Sequence, residues 1–154
     1  MDVQPPERRP SIRVIALAIA WRGDELLLLS GTDEVKGDRF LRPPGGGVEF
    51  GETSGTTVER EMMEEFGARV VLKRFLGVIE DVFIYRGEVG HQVAFLHEVE
   101  FEDSAFYALE AIEFIEAEWD GPATWRPLAS LASGPDRLVP EGLFEILSAA
   151  RCGE

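Results

Sequence analysis

Three glutamates between residues 61 and 65 have the spacing that places carboxylates side by side on one face of a helix. Glu61, Glu64 and Glu65 are separated by one to four positions, and residues three or four apart are neighbours on a helix surface. Like charges at this spacing destabilise a helix by roughly 0.2–0.5 kcal/mol per pair, so a cation that offsets their repulsion is expected. The natural candidate is Mg2+, a hard ion that prefers oxygen ligands and is commonly shared between carboxylates and substrate phosphates. The alternative is a solvated acidic face, which is the usual meaning of a charge run.

The residues around these glutamates predict a helix over about 53–66. Thr53 is a suitable N-cap, and Gly67 is a suitable residue just beyond the C-terminal end. Arg60 lies at the edge of the acidic arc, and a bidentate pair between Arg60 and Glu52 would lock the preceding loop to the helix. The apolar side chains of the segment fall on a separate arc that can face a core. They are Val58, Met62, Met63 and Phe66.

A glycine-rich turn precedes this helix. Pro43 and Pro44 are followed by Gly45, Gly46 and Gly47, and glycine permits backbone angles and close approaches that other residues forbid. The segment therefore predicts either a site where backbone approaches a ligand or a plain turn between two strands.

Taken together, these residues fit one pattern over 46–68, G-x5-E-x7-R-E-U-x-E-E-x-G-U, in which U is a bulky apolar residue. The fixed positions are all matched, and they are Gly46, Glu52, Arg60, Glu61, Glu64, Glu65 and Gly67. Met62 fits the first U position, whereas Ala68 is smaller than the second one usually is. The segment resembles the Nudix box, the signature of metal-dependent hydrolases that act on nucleoside diphosphates linked to another group.

The resemblance implies an α/β fold, the Nudix α/β/α sandwich with a mixed central β-sheet, and hydrolysis of a phosphoanhydride bond by water attack on phosphorus. It implies Mg2+, with Mn2+ as an option, and a small nucleotide-type substrate. By the family pattern the metal ligands are Glu61, Glu64, Glu65 and the carbonyl of Gly45, with Glu61 also the first choice for the base that activates water or for the residue that orients that base. The same pattern implies that Glu52, Arg60 and Gly46 hold the geometry of these ligands, with Arg60 counted among the catalytic set.

Residues outside the pattern would select the substrate. Arg42 could reach a phosphate oxygen or could be an exposed strand-end arginine. Tyr85 stands where diadenosine polyphosphate hydrolases of the family often carry a tyrosine, and it could stack on a purine or simply pack. Phe83 stands where ADP-ribose hydrolases often carry a proline, so that marker is absent. Some family members recruit a further carboxylate from a later loop, and the sequence does not choose among its candidates. They are Glu110, Glu113, Glu116 and Glu118.

Apolar patterning predicts strands on both sides of the central helix and a further helix at the end of the chain. Residues 31–39 are expected to form a polar loop, and residues 102–118 fit either a helix or a strand with a loop. The predicted strands are 11–21, 25–30, 40–42, 48–50, 69–76, 78–85 and 92–101, followed by a strand end at 125–128 that enters a short helix and by a terminal helix at 140–150.

Length and composition set outer limits on these interpretations. We expect a flexible leader at 1–10, a single domain at 11–150 and a tail at 151–154. The net charge of −14 argues against unassisted binding to long nucleic acids, which needs basic surfaces.

The longest apolar run, residues 14–21, is too short to span a membrane. A single cysteine, Cys152, and a start without an apolar signal region favour the cytoplasm. The resemblance allows a homodimer, although no stretch of sequence identifies an interface.

Three other functions share the implied fold. A non-catalytic nucleotide sensor is the main alternative, but such sensors usually lose the carboxylates that this chain keeps. An isoprenoid diphosphate isomerase would need a core cysteine, and Cys152 is near the chain end. A messenger-decapping enzyme would need a basic path for RNA, which the charge of −14 disfavours.

Overall fold

The computed structural model describes residues 10–115 and 119–153, and these form a mixed β-sheet with a helix on each face. Residues 1–9 of the leader predicted over 1–10 lie outside the described residues. So do Glu116, Glu118 and Glu154. The strands are β1 (Arg13–Arg22), β2 (Glu25–Asp33), β3 (Asp38–Arg42), β4 (Gly45–Gly47), β5 (Val70–Tyr85), β6 (Glu88–Phe101), β7 (Ala111–Ile112), β8 (Ala123–Pro127) and β9 (Arg137–Leu138). The helices are α1 (Ser54–Phe66) and α2 (Leu143–Cys152), with short 3-10 turns at Ser104–Ala108 and Leu128–Leu131.

The sheet runs in the order β5-β6-β1-β2-β3-β9, with β4 on β1 and β8 on β2. β1 pairs with β6 in parallel, and β3 pairs with β9 in parallel, while the other neighbours are antiparallel. β1 and β2 pair only near their shared turn, at Trp21–Leu26 and Arg22–Glu25. Beyond that point they diverge, because β1 pairs with β4 and β2 pairs with β3. The divergence opens a cleft between the two halves of the sheet.

Alternating side chains of β1 and β2 build a separate core on each face of the sheet, as a strand period of two requires. On the α1 side, small alanines such as Ala16 and Ala18 pack against Val58 and Met62. On the α2 side, larger residues such as Ile15 and Leu17 pack with Leu143 and Leu147 of α2. The sheet therefore lies between two helices, with one core on each face. This confirms the predicted α/β/α architecture.

Helix α1 begins and ends at the predicted capping residues. The Thr53 hydroxyl accepts from the backbone N–H of Thr56, and Gly67 adopts the left-handed conformation at φ 66° while its N–H reaches the carbonyls of Met62 and Met63. The first turn is also tied to the sheet, because Ser54 Oγ lies 2.8 Å from Nε2 of His97 on β6. The helix is thus fixed at both ends.

Several predicted boundaries are wrong. Residues 48–50 do not form a strand; the strand is Gly45–Gly47, and Phe50 is fully exposed in the turn that follows. The predicted loop at 31–39 shrinks to 34–37, because β2 and β3 continue as a hairpin. The strands predicted at 69–76 and 78–85 form the single strand β5. Its pairing with β6 is irregular between Leu72 and Gly77, near the predicted break.

Two further regions differ in detail from the sequence-based expectation. The ambiguous segment after β6 contains a 3-10 turn and the short strand β7, not a long helix. Helix α2 extends to Cys152, so it includes the first residues of the predicted tail. Within the described ranges, neither helix has the length and apolar content needed to cross a membrane.

Candidate active site

Arg60 is the centre of an ion-pair network that joins helix α1 to the loop before it. Its Nε and Nη2 donate to the two carboxylate oxygens of Glu52 at 2.8 and 2.9 Å, which is the predicted bidentate pair. Nη2 also donates to the Gly47 carbonyl at 3.0 Å. Nη1 donates to Glu61 Oε1 at 3.0 Å and to Glu64 Oε2 at 3.2 Å. One guanidinium therefore fixes the loop, the glycine strand and two of the three helix carboxylates.

Glu52 is held in its ionised form by this network. The Arg60 guanidinium, then the Thr57 hydroxyl, which donates at 2.6 Å, lower the pKa of Glu52 to about 2. In return, the hydrogen bonds from Arg60 to Glu52 raise the pKa of the arginine above its usual value. The pair therefore stays charged at neutral pH and becomes neutral at Glu52 only as the pH approaches 2, so at neutral pH it holds the loop in a fixed geometry.

Gly46 leaves the space into which the Glu61 carboxylate fits. A Cβ added at Gly46 would lie 2.3 Å from Glu61 Oε1 and 2.5 Å from its carboxylate carbon. A Cβ at Gly45, which has φ 152°, would lie 2.0 Å from the carbonyl oxygen of Ala16 on β1. Glycine is thus required at Gly45 by close backbone contact and at Gly46 by a side chain of α1. The Gly45 carbonyl accepts from Arg42 Nη2 at 3.3 Å.

The three helix carboxylates and Gly45 line one cleft of about 900 Å³. Glu65 is buried at 8% exposure, and the side chain of Glu64 is half exposed. These donors are all oxygens, which is the chemistry that Mg2+ and Mn2+ prefer. The residues present therefore fit a hard divalent ion.

Arg60 now contacts two of these carboxylates, so a bound cation would compete with it for Glu61 and Glu64. Within residues 10–115 and 119–153, no three His, Cys, Asp or Glu side chains already surround a common metal position. The ligand set implied by the family pattern therefore stays a prediction.

Aromatic side chains form a wall of the same cleft. Phe40 of β3 contacts Tyr85 of β5 edge to face, with ring centroids 5.7 Å apart, and contacts Trp119 in the same way at 6.1 Å. The Arg42 guanidinium lies 4.6 Å from the Trp119 ring centroid. Arg42 and Tyr85 therefore both line the cleft. Phe40 and Trp119 were not expected from sequence, because only the folded sheet brings them beside Tyr85.

The tips of two hairpins meet beside this wall. Asp33, almost completely buried, accepts from the N–H groups of Val35 and Lys36 in its own turn and from Arg86 N at 3.1 Å in the β5–β6 turn. Burial would raise the pKa of Asp33, but these three hydrogen bonds outweigh it and lower that pKa. Lys36 Nζ donates to the Ile84 carbonyl at 2.7 Å. These contacts hold the two halves of the sheet together across the cleft.

Asp81 is a buried carboxyl in the cleft that sequence reasoning missed. It lies on β5 at 8% exposure, opposite Gln92 of β6. Burial raises its pKa and outweighs the hydrogen bond from the Glu141 backbone N–H, which lowers it. The charge of Glu141 adds to the rise, and Arg137 and Gln92 oppose it. The sequence could have pointed to Asp81 through its place in the strand alternation. Asp81 occupies a position whose side chain faces inward, where a charged residue is unusual.

Of the four later-loop carboxylates that the sequence offered as candidates, the two that the structure describes are not brought to this cleft. Glu110 and Glu113 are exposed and lie outside the set of residues that line it, and the other two candidates are outside the described ranges. The described acidic residues that do line it beyond helix α1 come from both halves of the sheet, from α2 and from the segment before α2. They are Asp33, Glu34, Asp81, Asp120, Asp136, Glu141 and Glu145.

A family model described as NUDIX domain matches residues 11–141 of this chain. The fold is similar to a MutT NUDIX hydrolase from Burkholderia pseudomallei, with a TM-score of 0.63 and 23% identity over 89% of this chain and 97% of that one. It is also similar to a MutT protein from Methanosarcina mazei Go1, with a TM-score of 0.63 and 17% identity over 95% and 98% of the two chains. A UDP-X diphosphatase aligns with a TM-score of 0.60 and 17% identity, over 97% of this chain and 68% of that one. No curated protein matches.

Proposed function

Because this chain belongs to the Nudix family of pyrophosphohydrolases, whose domain model spans residues 11–141, we propose that it hydrolyses a phosphoanhydride bond in a nucleoside diphosphate derivative with the help of Mg2+ or Mn2+. One observation carries the proposal. The box carboxylates Glu61, Glu64 and Glu65 open onto the same cleft as an aromatic and cationic wall. A metal-dependent phosphate site and a nucleoside site would thus be adjacent.

The residues that would hold the ion are Glu61, Glu64, Glu65 and the Gly45 carbonyl. When bound, the ion would polarise phosphoryl oxygens and lower the pKa of bound water. It would also let a chain of net charge −14 accept an anionic substrate. Glu65 is the most buried of the three carboxylates and lines the cleft, which supports its place as the principal ligand.

The protein's own groups position and activate the water. Glu61 is assigned as the base that accepts the proton of the attacking water, since Gly46 leaves room for its carboxylate at the edge of the cleft. Arg60 donates to this carboxylate at 3.0 Å, and Glu52 in turn fixes Arg60 by accepting from its Nε at 2.8 Å. Their role is to fix the direction of Glu61 and Glu64, not to contact the reacting phosphorus.

The opposite wall would bind the rest of the substrate. Arg42 lines the cleft, where its guanidinium can donate to phosphate oxygens. Tyr85, Phe40 and Trp119 present aromatic surface on which a base could stack. These features favour a small nucleotide over a long nucleic acid, which the charge of −14 disfavours. A cytoplasmic location is part of the proposal, supported by the single, exposed thiol of Cys152.

The test is release of phosphate or nucleotide from a panel of substrates with Mg2+, with Mn2+ and with excess EDTA. The panel contains diadenosine polyphosphates, ADP-ribose, nucleotide sugars and nucleoside triphosphates. Cleavage of at least one member that EDTA abolishes is the expected result, and the preferred member identifies the substrate. Binding without turnover on the whole panel, detected as thermal stabilisation, would instead indicate a nucleotide sensor.

A further inference from the structure

Two side chains of the β2–β3 hairpin contact the backbone on both sides of Tyr85 in the β5–β6 hairpin. Asp33 Oδ2 accepts from the backbone N–H of Arg86 at 3.1 Å. Lys36 Nζ donates to the carbonyl of Ile84 at 2.7 Å. Tyr85 lies between these two anchor points, so its backbone is held where the two hairpins meet across the cleft.

The carboxylate of Asp33 uses its two oxygens for two different contacts. Oδ1 accepts from the N–H groups of Val35 and Lys36 at 3.0 and 3.2 Å, which forms the local turn. Oδ2 accepts from Arg86, which is 53 positions along the chain. A turn in solvent needs the first contact alone, whereas Asp33 is almost completely buried, and burying a charged group is costly unless its hydrogen bonds are made. The second contact therefore indicates a role beyond turn formation.

The end of the β5–β6 hairpin has little apolar packing to hold it in place. Ile84 and Val89 form a cross-strand pair near its turn, and they are 52% and 75% exposed. At the turn itself Arg86 adopts a positive φ of 52°, which is uncommon for a residue other than glycine. Segments with few buried apolar contacts open at a low cost in free energy. The hydrogen bonds to Asp33 and Lys36 therefore restrain an end of the hairpin that would otherwise open easily.

The residue held in this way forms part of the cleft wall. Tyr85 contacts Phe40 edge to face, with ring centroids 5.7 Å apart, and Phe40 belongs to the other half of the sheet. The Arg86 guanidinium lies 5.1 Å from the centroid of the Tyr85 ring. Since β1 and β2 pair only near their shared turn, the distance between the two cleft walls at Tyr85 depends on the contacts between the hairpins.

We propose that Asp33 is a positioning residue for substrate binding, which keeps Tyr85 opposite Phe40 as a preformed wall for the base of the nucleotide. It does so through the backbone of Arg86, and Lys36 supports it from the other side of Tyr85. A wall that is already in place spares the substrate the free-energy cost of ordering it. Asp33 therefore acts on substrate affinity, whereas the carboxylates of α1 act on the chemical step. The identity of the ligand rests on the proposed function, but the restraint of the hairpin does not.

The substitution Asp33→Asn removes the contact between the hairpins and keeps the local turn. The amide oxygen can still accept from Val35 and Lys36, but the amide NH2 group then faces the Arg86 N–H, so that two donors meet. We expect KM for the preferred substrate to rise about tenfold, because the restrained state becomes less populated. The value of kcat should change by less than about twofold, as it does when only binding is lost.

Two further variants accompany this one. Lys36→Met, at an exposed position, removes the contact with Ile84 and should raise KM by a smaller factor. Asp103→Asn is the matched control and should behave as the wild type. Asp103 also accepts an N–H of its own turn, from Ala105 at 2.9 Å, but it is exposed and lies outside the set of residues that line the cleft.

Hydrogen exchange tests the restraint of the hairpin without reference to activity. In Asp33→Asn the Arg86 amide should exchange at least about tenfold faster than in the wild type, while the amides of β1, inside the sheet, should be unchanged. Circular dichroism and thermal unfolding establish that each variant folds. If Asp33→Asn does not fold, Lys36→Met decides the question by the same measurements.

A higher KM together with faster exchange at Arg86 supports the proposal. Unchanged exchange at Arg86 overturns it, and so does an unchanged KM. A kcat that falls as much as KM rises also overturns it, because Asp33 would then act on the chemical step. If the wild-type chain hydrolyses no member of the panel, the proposed function fails separately. The Kd of the nucleotide that gives the largest thermal stabilisation then replaces KM, and equal affinity of the wild type and Asp33→Asn, or no binding at all, overturns the proposal.

Discussion

Substitution of Gly46 by alanine should disable the site without unfolding the protein. The added Cβ would lie 2.3 Å from Glu61 Oε1, whereas ordinary contacts begin at 3.4 Å, so the carboxylate must retreat by about 1 Å. Only the end of a flexible side chain has to move. The free energy of unfolding should therefore change by less than about 1 kcal/mol, as is usual for glycine to alanine at a compatible backbone position.

The activity should change far more than the stability. Misplacing a catalytic group by about 1 Å can lower the rate by roughly 100-fold, which corresponds to about 2.7 kcal/mol in the activation free energy. We therefore expect kcat/KM of Gly46→Ala to fall by roughly two orders of magnitude, mostly through kcat, because Glu61 acts on the attacking water.

Gly47→Ala provides the matched control. The next glycine along β4 has only an ordinary contact, with Arg13 Nη2 at 3.4 Å from the added Cβ. The assay compares kcat, KM and melting temperature for the wild type and both variants on the substrate that the panel selects. Equal activity of Gly46→Ala and Gly47→Ala would refute the placement of Glu61 in the site.

Three further predictions concern stability. The pKa of Glu52 is about 2 in the folded chain against an ordinary 4.5, so its contribution to stability is complete above pH 4.5 and is lost as the pH falls towards 2. Urea unfolding of Glu52→Gln should therefore show a weaker loss of stability over that range, and an unchanged dependence on pH would contradict the ion pair. Asp81 has a raised pKa, so its ionisation reduces stability as the pH rises above 3.8, and Asp81→Asn should remove that decline in the same experiment. Leu147 is completely buried, and Leu147→Ala should cost about 2–5 kcal/mol in denaturant unfolding, whereas a cost below 1 kcal/mol would show that α2 is not packed as described.

The features that the sequence predicted well depend on neighbouring residues. Helix α1 has its N-cap at Thr53 and its left-handed glycine at Gly67 within one short segment, so local chemistry specifies both ends. The pair between Arg60 and Glu52 also spans only eight positions. The family pattern fixes the relative places of these residues before any tertiary contact is known.

The features that the sequence predicted poorly depend on distant pairing. Residues 48–50 have the apolar character of a strand, but Gly45–Gly47 form it because they pair with β1, and glycine carries little strand preference of its own. Phe40 and Tyr85 meet only after β3 and β5 are placed on opposite sides of the cleft. Asp81 is recognisable only when the inward face of β5 is known.

The central claim is that the carboxylates of α1 bind a metal ion that hydrolysis requires. Glu65→Gln tests it most directly, with Glu59→Gln as the control, since Glu59 is an exposed glutamate of the same helix outside the cleft. The measurement is Mg2+- or Mn2+-dependent turnover of the preferred substrate, together with Mn2+ binding by calorimetry and a thermal unfolding curve for each variant. We predict that Glu65→Gln folds normally but loses most turnover and binds Mn2+ at least tenfold more weakly, while Glu59→Gln behaves as the wild type. Full metal-dependent activity in Glu65→Gln would contradict the account.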